Sequence, residues 1–199
     1  PNCRVEIGFF CSKAYTGMLE TLKMAFVATI FGFIGAIALS PFAAKNLVPN
    51  YILVPTRLFL ALTRSLPSII WALIFVIVVG IGPLAGVLAM ILYTIGYIGK
   101  LQYEEIEGIN REPLEAARAM GLRHNEIVSK VVIPESGNTF LSQLLFMFEY
   151  NVRHGTVLGL VGAGGIGLHI DRAMELGNYN DVMSYLIVKF VVIIMIDFL

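Results

Sequence analysis

Long apolar runs alternate with polar segments along this chain, and the first run is long enough to cross a bilayer. Residues 24–44 contain no charged side chain and would extend about 30 Å as a helix, which matches the thickness of a hydrocarbon core. Residues 50–64 instead mix leucines with Arg57 and Arg64. The pattern therefore predicts a spanning helix that is followed by a helix at the membrane interface.

The second apolar run is too long for a single spanning helix. Residues 65–99 are free of charge, and one helix of this length would extend about 50 Å against a core of about 30 Å. The sequence Gly-Ile-Gly-Pro at residues 80–83 offers a place for a break, because proline lacks an amide donor and glycine relaxes the backbone. We therefore predict two short helices, residues 67–79 and 83–99, joined by a tight hairpin.

Three further apolar runs follow a polar stretch: residues 136–148, the glycine-rich residues 155–170, and residues 183–199. Together the runs predict an all-α integral membrane bundle of about five transmembrane helices, with the N-terminus outside and the C-terminus in the cytoplasm. Residues 1–20 are then an exterior or interfacial segment, and residues 21–199 form the transmembrane domain. Because no basic anchor follows the last run, we expect the sequence to continue beyond residue 199.

The composition agrees with a membrane protein, since 57% of the residues are hydrophobic and 14% are charged, whereas soluble proteins average about 25% charged. The 14 basic and 14 acidic residues cancel, so no global field would attract nucleic acid. Cys3 and Cys11 have neither a zinc nor a redox spacing; we expect them to be incidental, with an exterior disulfide as the alternative. His154 and His169 are too far apart to indicate a metal site.

The long polar stretch, residues 100–135, is expected on the cytoplasmic side. It contains five basic and seven acidic residues and cannot be buried in lipid. If it is cytoplasmic, eight Lys and Arg residues lie inside and five outside, which agrees with the positive-inside rule. We therefore predict a cytoplasmic loop at about residues 101–135.

A short helix is expected inside this loop. Asn110 is suited to cap it, Pro113 to its first turn and Gly121 to its end. Three residues should form an apolar stripe along one face: Leu114, Ala117 and Met120. A second segment, residues 125–132, should lead to the membrane run that Pro134 opens. A helix with a small-residue face, held between two such arms, is suited to insert into a groove of a partner.

The spacing in this loop resembles the EAA loop of ABC importer permeases. Glu115-Ala116-Ala117, Gly121 and the ending Val131-x-Ile133-Pro134 match the pattern Glu-Ala-Ala, Gly and Ile-x-Leu-Pro with two conservative replacements. The resemblance implies that residues 113–121 dock on a cytoplasmic ATPase subunit. The residues implied in this coupling are Glu115, Ala116, Ala117, Arg118, Gly121 and Pro134.

Other segments are similar to the phosphonate-type ABC permease family from about residue 17 onwards. They include residues 71–76, 79–89, 148–153 and 156–167. This resemblance implies a type I importer permease fold, a homodimer around a translocation path, an extracytoplasmic substrate-binding protein and the cytoplasmic (inner) membrane of a prokaryote. The implied cargo is phosphonate or a related phosphorus oxyanion. Methionine permeases share the EAA loop and the glycine motif, so methionine is the alternative.

The chain contains no Gly-x-x-x-x-Gly-Lys-Ser/Thr phosphate loop, so we expect it neither to hydrolyse ATP nor to hold a cofactor. ATP and Mg²⁺ would be bound by the partner ATPase. An intramembrane enzyme that uses Glu149, Arg153 and His154 is the alternative from a different class. Neither a Ser-His-Asp arrangement nor a carboxylate pair can be argued from the spacing, so no catalytic residue is predicted.

Two groups of residues are candidates for the translocation path or its gate. Glu149 and Arg153 form an (i, i+4) pair at the end of a membrane helix, either as an internal salt bridge or with Arg153 at the exterior mouth, where it would attract an anion. The second group is a set of glycines: Gly162, Gly164, Gly165 and Gly167. Nucleotide binding is disfavoured because no strand precedes them, whereas a gate and close helix packing both stay open.

Overall fold

The computed structural model describes residues 12–198, which form a helical bundle without strands. The helices are α1 Lys13–Ala43, α2 Asn50–Ser65, α3 Ser68–Val79, α4 Pro83–Gly108, α5 Arg111–Ala119, α6 His124–Ile127, α7 Ile133–Gly159, α8 Gly165–Glu175 and α9 Tyr179–Asp197. A π-helical turn, Val128–Val132, joins α6 to α7. The predicted all-α class is confirmed for this part of the chain. Cys3 and Cys11 lie outside the described residues.

Helices α1 and α4 form the centre of the bundle and pack in a fixed register. Positions that are 62 residues apart face each other, as seen for residues 24 and 86 and for residues 32 and 94. Each pair contains a buried glycine, Gly86 of α4 or Gly32 of α1. Small residues at a helix interface allow the two backbones to approach closely. The pair therefore forms a stiff axis against which the other helices pack.

The predicted break at residues 80–83 is confirmed. Gly80 and Gly82 have φ values of +96° and +151°, which L-residues with a side chain rarely adopt, and Pro83 starts α4. However, α4 does not end at residue 99 as predicted but continues to Gly108. Charge ends the apolar run without ending the helix, because one side of α4 stays buried through Gln102 and Ile106; on its surface Lys100 and Glu104 form an (i, i+4) ion pair with 3.3 Å between nitrogen and oxygen.

Three described helices are long and apolar enough to cross a membrane: α1, α4 and α9. Helices α2 and α3 meet this requirement together as a pair bent by 88°, which raises the number to four. The indole N–H of Trp71 donates to the carbonyl of Thr63 across the bend, at 2.8 Å. Helix α7 has 27 residues but is more polar, so the predicted count of about five spans is reached only when α7 is included.

Helix α7 is longer than the apolar run from which it was predicted. The π-helical turn passes directly into α7, and Pro134 lies in its first turn, where the missing N–H is tolerated. At its other end α7 continues through Glu149 and Arg153 to Gly159. These two residues therefore do not end the membrane helix, which corrects the sequence-based boundary. The glycine-rich run at residues 155–170 is divided between the end of α7, a turn and α8.

Candidate functional site

The predicted coupling helix is present as α5, and it is anchored on one face and exposed on the other. Leu114 and Ala117 are buried, whereas Glu115 and Ala116 are exposed. Met120 is 71% exposed, so the third member of the predicted apolar stripe does not pack inside this chain. Met120 caps the end of α5, where its N–H donates to the carbonyl of Ala116 at 3.0 Å, and the chain turns at Gly121 directly after it. The outer face of α5 thus offers a carboxylate, a small side chain and a methionine.

Gly121 terminates α5 as predicted. It has φ +74°, its N–H donates to the carbonyl of Arg118 at 2.9 Å, and the N–H of Leu122 donates to the carbonyl of Ala117 at 3.2 Å. This left-handed conformation is strained for any residue with a side chain. Asn110 occupies the position before the helix as predicted, although its side chain makes no capping hydrogen bond.

The buried face of α5 belongs to an apolar cluster that we call the base cluster. Its members come from α1, α4, α5, α6 and α7 and the segments beside them: Ala44, Ile106, Ile109, Leu114, Ala117, Ile127, Val132 and Phe140. Helix α6 begins with a tight cap, since the N–H of Arg123 donates to the Glu126 carboxylate at 2.8 Å. Pro134 is exposed on α7. The predicted coupling residues thus lie on and beside one packed unit, with five of the six in α5 and its end.

A set of polar contacts beside α5 was not found by sequence reasoning. The guanidinium of Arg118 donates to the backbone carbonyl of Asn46, in the loop of residues 44–49 between α1 and α2. In the same loop the N–H of Lys45 donates to the carboxylate of Glu107 at 2.7 Å, and Glu107 also pairs with Arg57 of α2. Partners more than 49 positions apart in sequence leave no local pattern, so no periodic signal could have revealed them.

The candidate path residues Glu149 and Arg153 form the predicted ion pair, and Arg153 has a second partner. Its guanidinium donates to both carboxylate oxygens of Asp197 at 2.9 Å, which ties α7 to the end of α9. Arg153 lies two residues from Asn151, whose amide donates to the hydroxyls of Thr29 and Thr94 at 2.9 and 3.1 Å. Because Thr29 is near the middle of α1, Arg153 lies at mid-height in the bundle and not at a helix end.

The glycines after α7 build a tight turn that is packed against the α3–α4 hairpin. Gly162, Gly164 and Gly165 have φ values between +71° and +86°. The N–H of Gly82 donates to the carbonyl of Gly162 at 2.9 Å. A side chain at Gly167 would overlap the backbone carbonyl of Thr156. These contacts support the packing role of the motif, while the gate remains a prediction.

His154 and His169 make separate contacts on different helices and do not form a common site. His154 packs edge-on against the ring of Tyr150, with 3.9 Å between ring centroids. His169 lies on α8, which is too short to span a membrane, and burial is the main cause that lowers its pKa. The carboxylate of Glu20 opposes this shift, and Arg172 and Lys13 add to it. Across residues 12–198, no group of three His, Cys, Asp or Glu side chains is arranged to hold a metal ion.

Known proteins with similar sequences are transport subunits. The family described as binding-protein-dependent transport system inner membrane component matches residues 28–199. The phosphite transport system permease protein PtxC of Stutzerimonas stutzeri is 34% identical over 90% of this chain and 66% of its own length. The phosphate-import permease protein PhnE of Mycolicibacterium smegmatis is 33% identical over 92% of this chain and 35% of its own length. The chain thus spans less than two thirds of either relative.

The fold has a close counterpart among solved structures. An inward-facing structure of the MetNI methionine ABC transporter superposes with a TM-score of 0.79, covering 92% of this chain and 90% of the other. The sequence identity is 24%, so this likeness concerns the fold. The predicted fold, that of a type I ABC importer permease, is confirmed.

Proposed function

Because this chain belongs to the family of binding-protein-dependent transport system inner membrane components, we propose that it is the permease subunit of an ATP-driven importer of phosphorus oxyanions. The observation that carries the proposal is α5, a helix anchored by Leu114 and Ala117 whose Glu115, Ala116 and Met120 remain open to a partner. A helix that is exposed on one face and packed on the other can transmit the movement of a bound subunit to the helices it packs against.

The mechanism follows from how α5 is anchored. The base cluster joins α5 to the ends of α1, α4 and α7, and close-packed cores transmit displacement because they compress little. Closure of an ATPase pair would move α5 together with these helix ends and tilt the bundle between outward- and inward-facing states. The ATPase would bind ATP and Mg²⁺, while this chain supplies the docking helix and half of the path.

The other partners follow from the same proposal. A second copy of this chain completes the path in the inner membrane of a prokaryote, and an extracytoplasmic binding protein delivers the cargo. PtxC and PhnE, which the chain resembles at 34% and 33% identity, are named for phosphite and phosphate. Phosphite, phosphate and phosphonates share a tetrahedral phosphorus with anionic oxygens, so the proposed cargo is this chemical class.

Docking can be tested by co-purification of the full chain with its ATPase. Glu115→Ala removes the exposed carboxylate, and Gly121→Ala strains the end of α5 by about 1–2 kcal/mol. Both variants should lose bound ATPase. The matched control is Glu175→Ala, which removes an exposed carboxylate from α8 at the other end of the bundle. Retention of ATPase by both α5 variants would contradict the docking assignment.

The cargo can be tested separately in proteoliposomes that contain the permease, the ATPase and the binding protein. Radiolabelled phosphite, phosphate and methylphosphonate should accumulate with ATP, and methionine should not. Accumulation of methionine without any phosphorus oxyanion would overturn the proposed cargo while leaving the permease assignment in place.

A further inference from the structure

The loop of residues 44–49 is fastened to α4 by a carboxylate that is largely shielded from water. The side chain of Glu107 is 14% exposed and accepts a hydrogen bond from the N–H of Lys45 at 2.7 Å. The ammonium of Lys45 lies 3.5 Å from the other carboxylate oxygen, and the guanidinium of Arg57 pairs with the first. One carboxylate thus joins the loop after α1, the middle of α2 and the last turns of α4.

Further hydrogen bonds join the same loop to α4 and α5, and the end of α1 to α2. The side-chain amide of Asn46 donates to the backbone carbonyl of Ile106 at 2.8 Å, and the backbone carbonyl of Asn46 accepts from the guanidinium of Arg118. Arg57 donates through Nε to the carbonyl of Ala43 at 2.8 Å. We call the five side chains involved the clamp: Lys45, Asn46, Arg57, Glu107 and Arg118.

The clamp connects α5 to helices that do not follow or precede it directly along the backbone. Along the backbone, α5 is joined to α4 through residues 109–110 and to α6 through residues 120–123. Helices α1 and α2 have no such covalent link to α5. Arg118 and Glu107 therefore form a polar route from α5 and its neighbour α4 to the loop between α1 and α2. Charge-assisted hydrogen bonds of this kind are shorter and stronger than neutral ones.

We propose that Glu107 and Arg118 are positioning residues, which transfer movement of α5 to α1 and α2 through the loop of residues 44–49. The inference rests on the proposed function, in which an ATPase moves α5. Without the clamp, α5 would still dock and move, but α1 and α2 would follow only through the apolar contacts of the base cluster. ATP hydrolysis would then proceed with less transport for each ATP consumed.

The test compares Glu107→Gln with Glu104→Gln in the full transporter, reconstituted with its ATPase and binding protein. Glutamine keeps the shape and an acceptor but removes the charge that holds Arg57. Glu104 is the matched control, because it lies on the same helix and its ion pair among the described residues runs along that helix, to Lys100. The readout is the ratio of phosphite taken up to ATP hydrolysed, measured beside ATPase co-purification and the melting temperature.

We expect Glu107→Gln to retain its ATPase and to lower the uptake-to-hydrolysis ratio by about tenfold, the scale set by one charge-assisted hydrogen bond. Glu104→Gln should keep the wild-type ratio. Arg118→Met should lower the ratio in the same way, and Arg118→Lys, which retains a cationic donor, should restore part of it. A purely structural role would lower the melting temperature and both activities together, and it would overturn the proposal.

The outcomes separate this inference from the one on which it rests. Wild-type protein that neither binds an ATPase nor imports would overturn the proposed function, and the clamp with it. Wild-type protein that does both, with unchanged ratios in Glu107→Gln and Arg118→Met, would overturn the clamp alone. Should Glu107→Gln fail to fold, Arg118→Met decides, because Arg118 is exposed and its loss leaves no buried carboxylate unpaired.

Discussion

At the scale of single residues, two buried amide side chains differ in whether they have hydrogen-bond partners. Asn151 donates to the hydroxyls of Thr29 and Thr94, so one side chain joins α7 to α1 and α4. Gln102 is fully buried on α4, and neither polar atom of its side chain has a partner among the described residues. A buried polar group without a partner lowers the stability of the fold, whereas a polar group with partners cannot be replaced without losing its hydrogen bonds.

The first prediction contrasts the two amides. Asn151→Leu should lower the free energy of unfolding by about 1–2 kcal/mol, since it leaves the hydroxyl of Thr94 without its amide donor. Gln102→Leu should leave that free energy unchanged or raise it. Thermal unfolding in detergent measures both, with the exposed Asn138→Leu on α7 as the control for Asn151. A stabilised Asn151→Leu would show that the buried hydrogen bonds contribute nothing.

The second prediction concerns the pH dependence that His169 adds to stability. Because burial lowers the pKa of His169 below its ordinary value of 6.5, the unfolded chain binds more protons than the folded one as the pH falls through 6.5. Stability should therefore decrease as the pH falls from about 7.5 to about 5.5, the range in which histidines titrate. His169→Gln should reduce the difference between the melting temperatures at these two values; an unchanged difference would exclude His169 as a cause.

At the scale of helices, the sequence predicted what depends on local chemistry. The hairpin glycines break the run between α3 and α4 because their φ values exclude other residues, and Gly121 ends α5 for the same reason. The ends of α4 and α7 were placed too early, because each helix continues past its first charged residues with one side still buried, at Gln102 and Ile106 in α4 and at Val152 and Gly155 in α7. The clamp and the bond from Arg153 to Asp197 join distant segments, and only the folded chain brings them together.

The third prediction tests how α8 is held against α7. A Cβ at Gly167 would overlap the carbonyl of Thr156, and one at Gly159 would lie 2.5 Å from the Cα of Gly167. Gly167→Ala should therefore destabilise the protein by about 1–3 kcal/mol through overpacking. Gly137→Ala is the matched control in α7, where nothing lies within 4 Å of the added carbon. It should be neutral or stabilising by about 0.5–1 kcal/mol, because alanine favours helix.

Equal melting temperatures of the two alanine variants would contradict this assignment. If Gly167→Ala instead folds as stably as the wild type and only transport is lost, the glycine motif serves as a gate and not for packing. The same pair of variants thus decides between the two roles that the sequence left open at Gly167, which belongs to the set Gly162, Gly164, Gly165 and Gly167.

At the scale of the whole molecule, the proposed docking helix and the glycine turn lie at opposite ends of the α1–α4 axis. Ala44 and Ile106 contribute to the base cluster at one end, while Gly86 of α4 lies against Ala163 of the glycine turn at the other. Asn151 and Arg153 lie between them on α7. On the proposed function, a displacement that begins at α5 would therefore reach the level of Arg153 through helices packed side by side.

The last prediction asks whether Arg153 acts on the cargo or only on the structure. Its guanidinium is about half exposed and holds two carboxylates, Glu149 and Asp197. Arg153→Ala removes both the tie between α7 and α9 and the cation, whereas Asp197→Asn weakens the tie and leaves the cation in place. If the cation attracts an anionic cargo, Arg153→Ala should lower phosphite uptake by about tenfold or more, while Asp197→Asn stays near the wild type. Bound ATPase should be equal in both variants, since the contacts of α5 are untouched. Equal losses of uptake in the two variants would show that transport depends on the ion pair between Arg153 and Asp197, because either substitution disrupts that pair.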